Sequence, residues 1–172
     1  MLNANLIGNL GSDPEIVEIP LTKGKTAVVD QQDGHLAAFN WCAIKRAQTW
    51  YAVRSVGPHG RQRTVFMHRV ILGAPDQIKV DHRDHDGLNN RRGNLRLATI
   101  SQNNANSRRP KARSGFRGVV AHGRRWRAQI RDGGQRQYLG FFDAPEQAAR
   151  AYDDAAVRLH GEFATLNFPE AV

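Results

Sequence analysis

Residues 80–109, VDHRDHDGLNNRRGNLRLATISQNNANSRR, decide how this chain is read. A short apolar-flanked strand over 78–81 runs into a polar loop over 82–94 that is dense in Asp, Asn and Gly. A second strand over 95–98 follows, and a helix opens near Thr99 or Ser101. This is a ββα unit, with a loop far more polar than a connection between two short strands requires.

The same stretch concentrates residues suited to phosphodiester hydrolysis, which needs an activated water, a cation at the phosphate and a group that orients the base. His82 is the candidate general base, because an imidazole titrates near working pH. Asp81, beside it on the strand end, offers a hard carboxylate suited to Mg2+ or Mn2+. Asn94, at the start of the second strand, is placed to fix the imidazole ring, and Asn103, one turn into the helix, to complete the metal site through its amide oxygen. An isolated Asp-His pair is more often a surface or capping pair, and Asn-rich loops are common turns; it is the joint spacing that favours a site. An alternative metal set, zinc held by His82 and His85 with Asp81 and Asp86, has no cysteine to support it. Cys42 is the only one in the chain, which also excludes internal disulfides.

Upstream, residues 15–66 alternate in short β-like runs (16–19, 26–29, 50–56) separated by Thr-Lys-Gly and Gly-Pro-His-Gly turns, with Trp41, Trp50 and Tyr51 as core candidates. No chemistry is legible there. Residues 64–72 read as a strand passing into a short helix that ends at Gly73; His68 within it is assigned no catalytic role. Downstream, 108–114 read as a basic linker, followed by strands over 116–121, 126–131 and 135–141. A helix then opens with Asp143 and Glu146 as a capping box and Pro145 in the first turn. Its apolar stripe is Ala148, Tyr152, Ala155 and Leu159, and Gly161 ends it.

Charge is unevenly distributed. The net charge is +9, and residues 107–141 hold ten bases against one acid, nine of the ten being Arg. Such a stretch marks a polyanion-binding surface more than a solubilising one, and Arg favours phosphate forks and base edges. Alternation in WRAQIR sets Arg127, Gln129 and Arg131 on one face and Trp126, Ala128 and Ile130 on the other. The next strand puts Arg136 and Tyr138 on the basic face and Leu139 and Phe141 in the core. No apolar run approaches the ~20 residues of a membrane span, and the first twenty residues lack a secretory pattern. The expected setting is therefore cytoplasmic and nucleoid-associated.

Two resemblances follow from these motifs. The pattern Asp81-His82, Asp84, Asp86-Gly87, Asn90, Asn94-Leu95, Arg96, Thr99 and Asn103, preceded by Met67-His68-Arg69, resembles the zinc-free phage and intron-homing branch of the HNH nucleases. By that resemblance one divalent cation sits on Asp81 and Asn103, His82 is the base and Asn94 orients it. Residues 115–168, through F-R-G-V, L-G-F-F, A-A-x-A-Y-D-x-A-A and L-N-F, resemble the Apetala-type, ethylene-response-factor DNA-binding domain. That resemblance implies DNA contacts by Arg117, Arg131, Arg136 and Tyr138. Val120 and Gln129 stand where the plant domain usually has Arg and Glu, so base preference is left open.

The expectation is an α+β protein with four parts: a small β-rich N-terminal region (1–66), a ββα-metal unit (67–107), the linker (108–114), and a three-stranded antiparallel sheet packed on one helix (115–170). Its expected activity is metal-dependent cutting of double-stranded DNA, of nicking or homing type and encoded by a phage or mobile element. A monomer would nick and a homodimer could cut both strands; neither a membrane nor a protein partner is called for. The alternative is a non-catalytic DNA-binding regulator with a degenerate nuclease unit.

Overall fold

The computed structural model describes residues 15–107 and 113–169. Residues 1–14 of the expected N-terminal region and most of the expected linker lie outside the described residues. Among the described residues the architecture is α+β, four small antiparallel sheets with two α-helices of six residues and one of sixteen.

The runs IVEIP and TAVVD pair as the hairpin β1 (Ile16–Pro20) and β2 (Thr26–Asp30). A 3-10 segment, Gln31–Ala38, leads to the sheet β3 (Cys42–Arg46), β4 (Thr49–Val56) and β5 (Arg63–Phe66). The chain passes from β5 straight into α1 (Met67–Leu72), and Gly73 closes that helix in the left-handed region at φ 57°. Next come β6 (Lys79–His82) and β7 (Leu95–Ala98), with Asp81 opposite Arg96 and His82 opposite Leu95. The helix α2 (Ile100–Ala105) opens on a capping box in which Thr99 and Gln102 satisfy each other's backbone N–H.

One apolar core runs through all of this. Ile19, Val29, Leu36, Trp41, Ala52, Met67, Ile71 and Leu95 pack in a single cluster, so packing is continuous from the N-terminal strands into the ββα unit. Trp50 lies outside that core, half-buried, with the ammonium groups of Lys23 and Lys25 5.3 and 5.4 Å from its ring.

The C-terminal part holds β8 (Val119–His122), β9 (Arg125–Asp132) and β10 (Gln135–Phe142), ordered β10-β9-β8. One face of the sheet carries α3 (Pro145–His160), whose Ala148, Ala149, Tyr152, Ala155 and Ala156 pack on Val119, Ala128 and Ile130. The small side chains let helix and sheet approach closely. Gly118 marks the limit of that approach: its φ is 75°, and a Cβ there would fall 2.0 Å from the Tyr152 ring.

Besides Trp50, expected in the core, two further expectations need correction. Asp143 does not cap α3: the N-cap is Ala144 without a side-chain bond, and Asp143 pairs instead with Arg125 at 3.0 Å. Phe141 does not face the core. Register slips between Tyr138 and Gly140, which makes Leu139 a bulge residue and reverses the alternation after it. Leu139 and Phe142 therefore turn inward, while Phe141 is exposed and stacks edge-on to His122 at 4.9 Å. No helix among the described residues is long and apolar enough to cross a membrane.

Gly118→Ala is expected to destabilise the C-terminal sheet by about 3 kcal/mol, overpacking added to an unfavourable φ. The midpoint of thermal unfolding followed by circular dichroism measures it.

Candidate active site and nucleic-acid interface

Asp81 and His82 sit at the end of β6 because the loop begins where pairing with β7 ceases. Both are buried, and with Asn103 from α2 they line one cleft of about 550 Å³. Three of the four residues assigned to the chemistry are therefore brought together. Asn94 is not at the imidazole: its Nδ2 donates to Asp84 Oδ1 at 2.9 Å and to the Asn89 carbonyl at 2.8 Å, and its Oδ1 accepts from the Asp84 N–H at 3.1 Å. It ties off the loop after His82. The residue beside the ring is Asn90, completely buried, whose Oδ1 lies 3.5 Å from His82 Nε2. An Nε2–H directed at Asn90 leaves Nδ1 as the unprotonated acceptor.

Electrostatics favour a neutral imidazole. Burial lowers the His82 pKa below the ordinary range, opposed in part by the bond to Asn90 and by the charges of Asp84, Asp81 and Asp86. His68, from α1, packs edge-on against His82 at 5.0 Å, and its pKa is lowered to about 3, mainly by burial and then by His82. Tyr51 of β4 closes the same side, 5.9 Å from the His82 ring; burial and then the charge of Asp81 raise its pKa. Burial opposes ionisation of Asp84, but bonds from the Asp86 backbone, Asn89 and Asn94 hold its pKa below the usual carboxylate value.

The Asp81 carboxylate is not bare. Arg96 Nε donates to its Oδ2 at 2.8 Å, and Asn106 Nδ2 lies 2.9 Å from each oxygen. A carboxylate has about four lone-pair directions, so these bonds leave capacity for a further ligand. Asp81 and Asn103 offer hard oxygen donors, which fit a divalent cation of the Mg2+ or Mn2+ kind, while Asn106 turns its amide nitrogen toward Asp81. Among the described residues no group of three or more His, Cys, Asp or Glu side chains is assembled to hold a metal, so the alternative set of His82, His85, Asp81 and Asp86 does not form.

The loop is held from the N-terminal strands. Asp30 takes Arg91 at 3.1 Å, Asp33 takes both Nε and Nη2 of Arg92 at 2.8 Å, and the Asn90 N–H bonds to the Val28 carbonyl at 2.7 Å. Gly87 presses on β4, where a Cβ would stand 2.3 Å from the Trp50 carbonyl oxygen. The segment in which the sequence shows no chemistry is thus what shapes the loop.

On the C-terminal sheet, the pairs Arg131–Arg136, Gln129–Tyr138 and Arg127–Phe141 place Arg127, Arg131, Arg136 and Tyr138 on the face away from α3. The Arg127 guanidinium lies 4.9 Å from the Tyr138 ring centroid. Among the described residues, Arg127 Nε and Gln129 Oε1 are buried without a hydrogen-bond partner. Arg117 is elsewhere: it points at α2, donating to the Ser107 and Ala105 carbonyls at 2.6 and 2.8 Å.

The ββα geometry, with Asp81, His82 and Asn103 on one cleft, agrees with comparison to known proteins. Residues 65–105 match the HNH endonuclease family model. The segment so matched runs from β5 to the end of α2. The chain is 38% identical over 104 residues to an uncharacterized HNH endonuclease of Acanthamoeba polyphaga mimivirus, covering 59% of this chain and 54% of that protein. The C-terminal region is similar to plant proteins. An APETALA2-like protein of Oryza sativa subsp. indica is 47% identical over 64 residues, 36% of this chain and 15% of that protein. An ethylene-responsive transcription factor of Arabidopsis thaliana is 52% identical over 62 residues, 34% and 24%. The chain thus spans about half of the viral relative and a quarter or less of each plant protein.

Sequence reasoning gave Arg96, Asn90 and Asn106 no role at the site and read Tyr51 only as a core residue. Arg96 was within reach, since pairing the two strands puts it opposite Asp81. So was Asn106, three residues beyond Asn103. Tyr51 carried no local signal, because only tertiary packing brings β4 to the site.

His68 is buried neutral, so its contribution to stability is full above the unfolded pKa of about 6.5 and is lost as pH falls below it, where only the unfolded chain takes up the proton. The unfolding free energy should fall by up to about 1.4 kcal/mol per pH unit on its account, and His68→Gln should flatten that slope in urea titrations across about pH 4–7.

Proposed function

We propose that this protein is a divalent-metal-dependent DNA endonuclease whose HNH unit cuts and whose C-terminal sheet grips double-stranded DNA. The observation that carries the reading is the shared cleft of Asp81, His82 and Asn103, one buried imidazole beside a hard oxygen set. His82 takes the proton from the attacking water, and the neutral state favoured by its burial keeps it able to do so. Asn90 and the packed ring of His68 hold the imidazole, and Asn94 acts at one remove by fixing the loop. Asp81 and Asn103 would hold the cation, with Asn106 beside them. Such an ion, Mg2+ or Mn2+, supplies charge stabilisation at the phosphate and at the leaving oxygen.

Binding is proposed to rest on Arg127, Arg131, Arg136 and Tyr138, with Arg125 at the edge of the same face. A sheet bearing arginines on its free face fits a major groove about 12 Å wide, and much of the affinity would come from phosphate contacts. One catalytic cleft per chain suits nicking. A homing role in a phage or mobile element accords with a viral relative named as an HNH endonuclease.

With supercoiled plasmid, Mg2+ or Mn2+ should support nicking that chelation abolishes, and His82→Ala should lower the rate by about 100-fold or more. Nicking that persists in His82→Ala at the wild-type rate would remove that residue from the chemistry. Replacing Arg131 and Arg136 by Ala should weaken duplex binding and reduce the slope of log K against log salt by about 2, read by fluorescence anisotropy.

A further inference from the structure

The helix that carries Asn103 and is capped by Asn106 is only six residues long, too short to persist unaided, and its last carbonyls need partners. The Ser107 hydroxyl serves the Asn104 carbonyl at 2.7 Å, and further partners come from the C-terminal part of the chain. The Arg117 guanidinium donates to the carbonyls of Ser107 at 2.6 Å, Ala105 at 2.8 Å and Asn104 at 3.4 Å. Its direction is set on the other side, where Nε donates to the Tyr152 hydroxyl at 2.8 Å and the Arg117 backbone N–H to Asn167 Oδ1 at 2.6 Å. A second contact lands on the same elements. Phe163, in the 3-10 turn that follows α3, is buried in a cluster with Ala98 at the end of β7 and Ala105 at the end of α2. The Arg96 guanidinium lies 3.7 Å from the centroid of the Phe163 ring, gives Nη1 to the Glu162 carbonyl at 2.7 Å, and gives Nε to Asp81 at 2.8 Å.

We propose that the C-terminal sheet unit is a working part of the nuclease site. Arg117 and Phe163 are positioning residues that hold α2 and, through Arg96, the Asp81 carboxylate in place for the cation. The inference rests on the nuclease reading above and goes beyond it, since there the C-terminal unit only selects and grips DNA. It also reassigns Arg117. Resemblance alone makes this residue a DNA contact, yet its Nε and both Nη nitrogens are engaged within the protein, and a phosphate could claim them only by uncapping α2.

The test uses the full chain with Arg117→Ala, Arg117→Lys, Phe163→Ala and Phe163→Leu. Mn2+ affinity is measured by electron paramagnetic resonance, single-turnover nicking on plasmid, duplex affinity in EDTA by anisotropy, and α2 amide exchange by mass spectrometry. Arg117→Ala and Phe163→Ala should each lower Mn2+ affinity and nicking rate by about 10- to 100-fold, as loss of support around a metal site does. Duplex affinity in EDTA should stay within about 2-fold of wild type, and the amides of α2 should exchange faster. Phe163→Leu should restore most of the loss by refilling the apolar site. Arg117→Lys should not, because one ammonium cannot span three carbonyls. If Phe163→Ala fails to fold, the Arg117 pair and Phe163→Leu still decide the matter. The proposal is overturned if Arg117→Ala weakens duplex binding as Arg136→Ala does while Mn2+ affinity and α2 exchange keep their wild-type values. Should the wild-type chain neither bind Mn2+ nor nick, the nuclease reading fails by itself. Docking is then judged on exchange alone: faster α2 exchange in Arg117→Ala upholds it, and wild-type exchange sinks it.

Discussion

A buried carboxylate needs a buried counter-charge, and the Asp81–Arg96 pair meets that need at the centre of the protein. Each side chain is 7% exposed, and the two face each other across the β6–β7 ladder. An ion left unpaired at such depth costs several kcal/mol, so the pair constrains everything it touches. It fixes the hairpin register, holds the Asp81 carboxylate in one cleft with His82 and Asn103, and obliges the remaining Arg96 donors to find acceptors. They find them in the Glu162 carbonyl, so a requirement arising in one hairpin is met by a segment 66 positions further along the chain.

The loop between the two strands depends on the same logic at longer range. Twelve residues of polar backbone cannot hold a single course by local turns alone. Asp30 and Asp33, from the end of the N-terminal hairpin and the turn beyond it, take Arg91 and Arg92, and Val28 bonds to the backbone of Leu88 and Asn90 on either side of Asn89. Asp33 is itself buried, so its bidentate pairing with Arg92 is a requirement of folding as well as an anchor. Asn90, delivered to the imidazole by this route, inherits its position from a strand more than sixty residues earlier.

The C-terminal sheet shows a different economy. Its helix-facing side is closed by small residues, Ala128 against Ala148 and Ala149, which allow close approach and leave little room for change. Its free side keeps arginines, an exposed tyrosine and two buried polar atoms without partners among the described residues.

By itself the sequence determined the α+β class, the ββα unit and the arginine face of β9, and pointed to Asp81, His82 and Asn103, because each is written in local periodicity, turn chemistry or fixed spacing; the strand β3 left no such mark. Asn94 and Arg117 show where that legibility stops: both side chains choose partners by what tertiary packing brings near. Asn94 meets the loop backbone, and Arg117 meets the carbonyls of a helix from the preceding unit. Phe141 was decided by one bulge, which inverts a two-residue alternation and leaves no trace in composition. Only the tertiary structure decided which asparagine attends the imidazole and what supports Asp81, since hydrogen bonds between distant segments depend on where the core places their backbones.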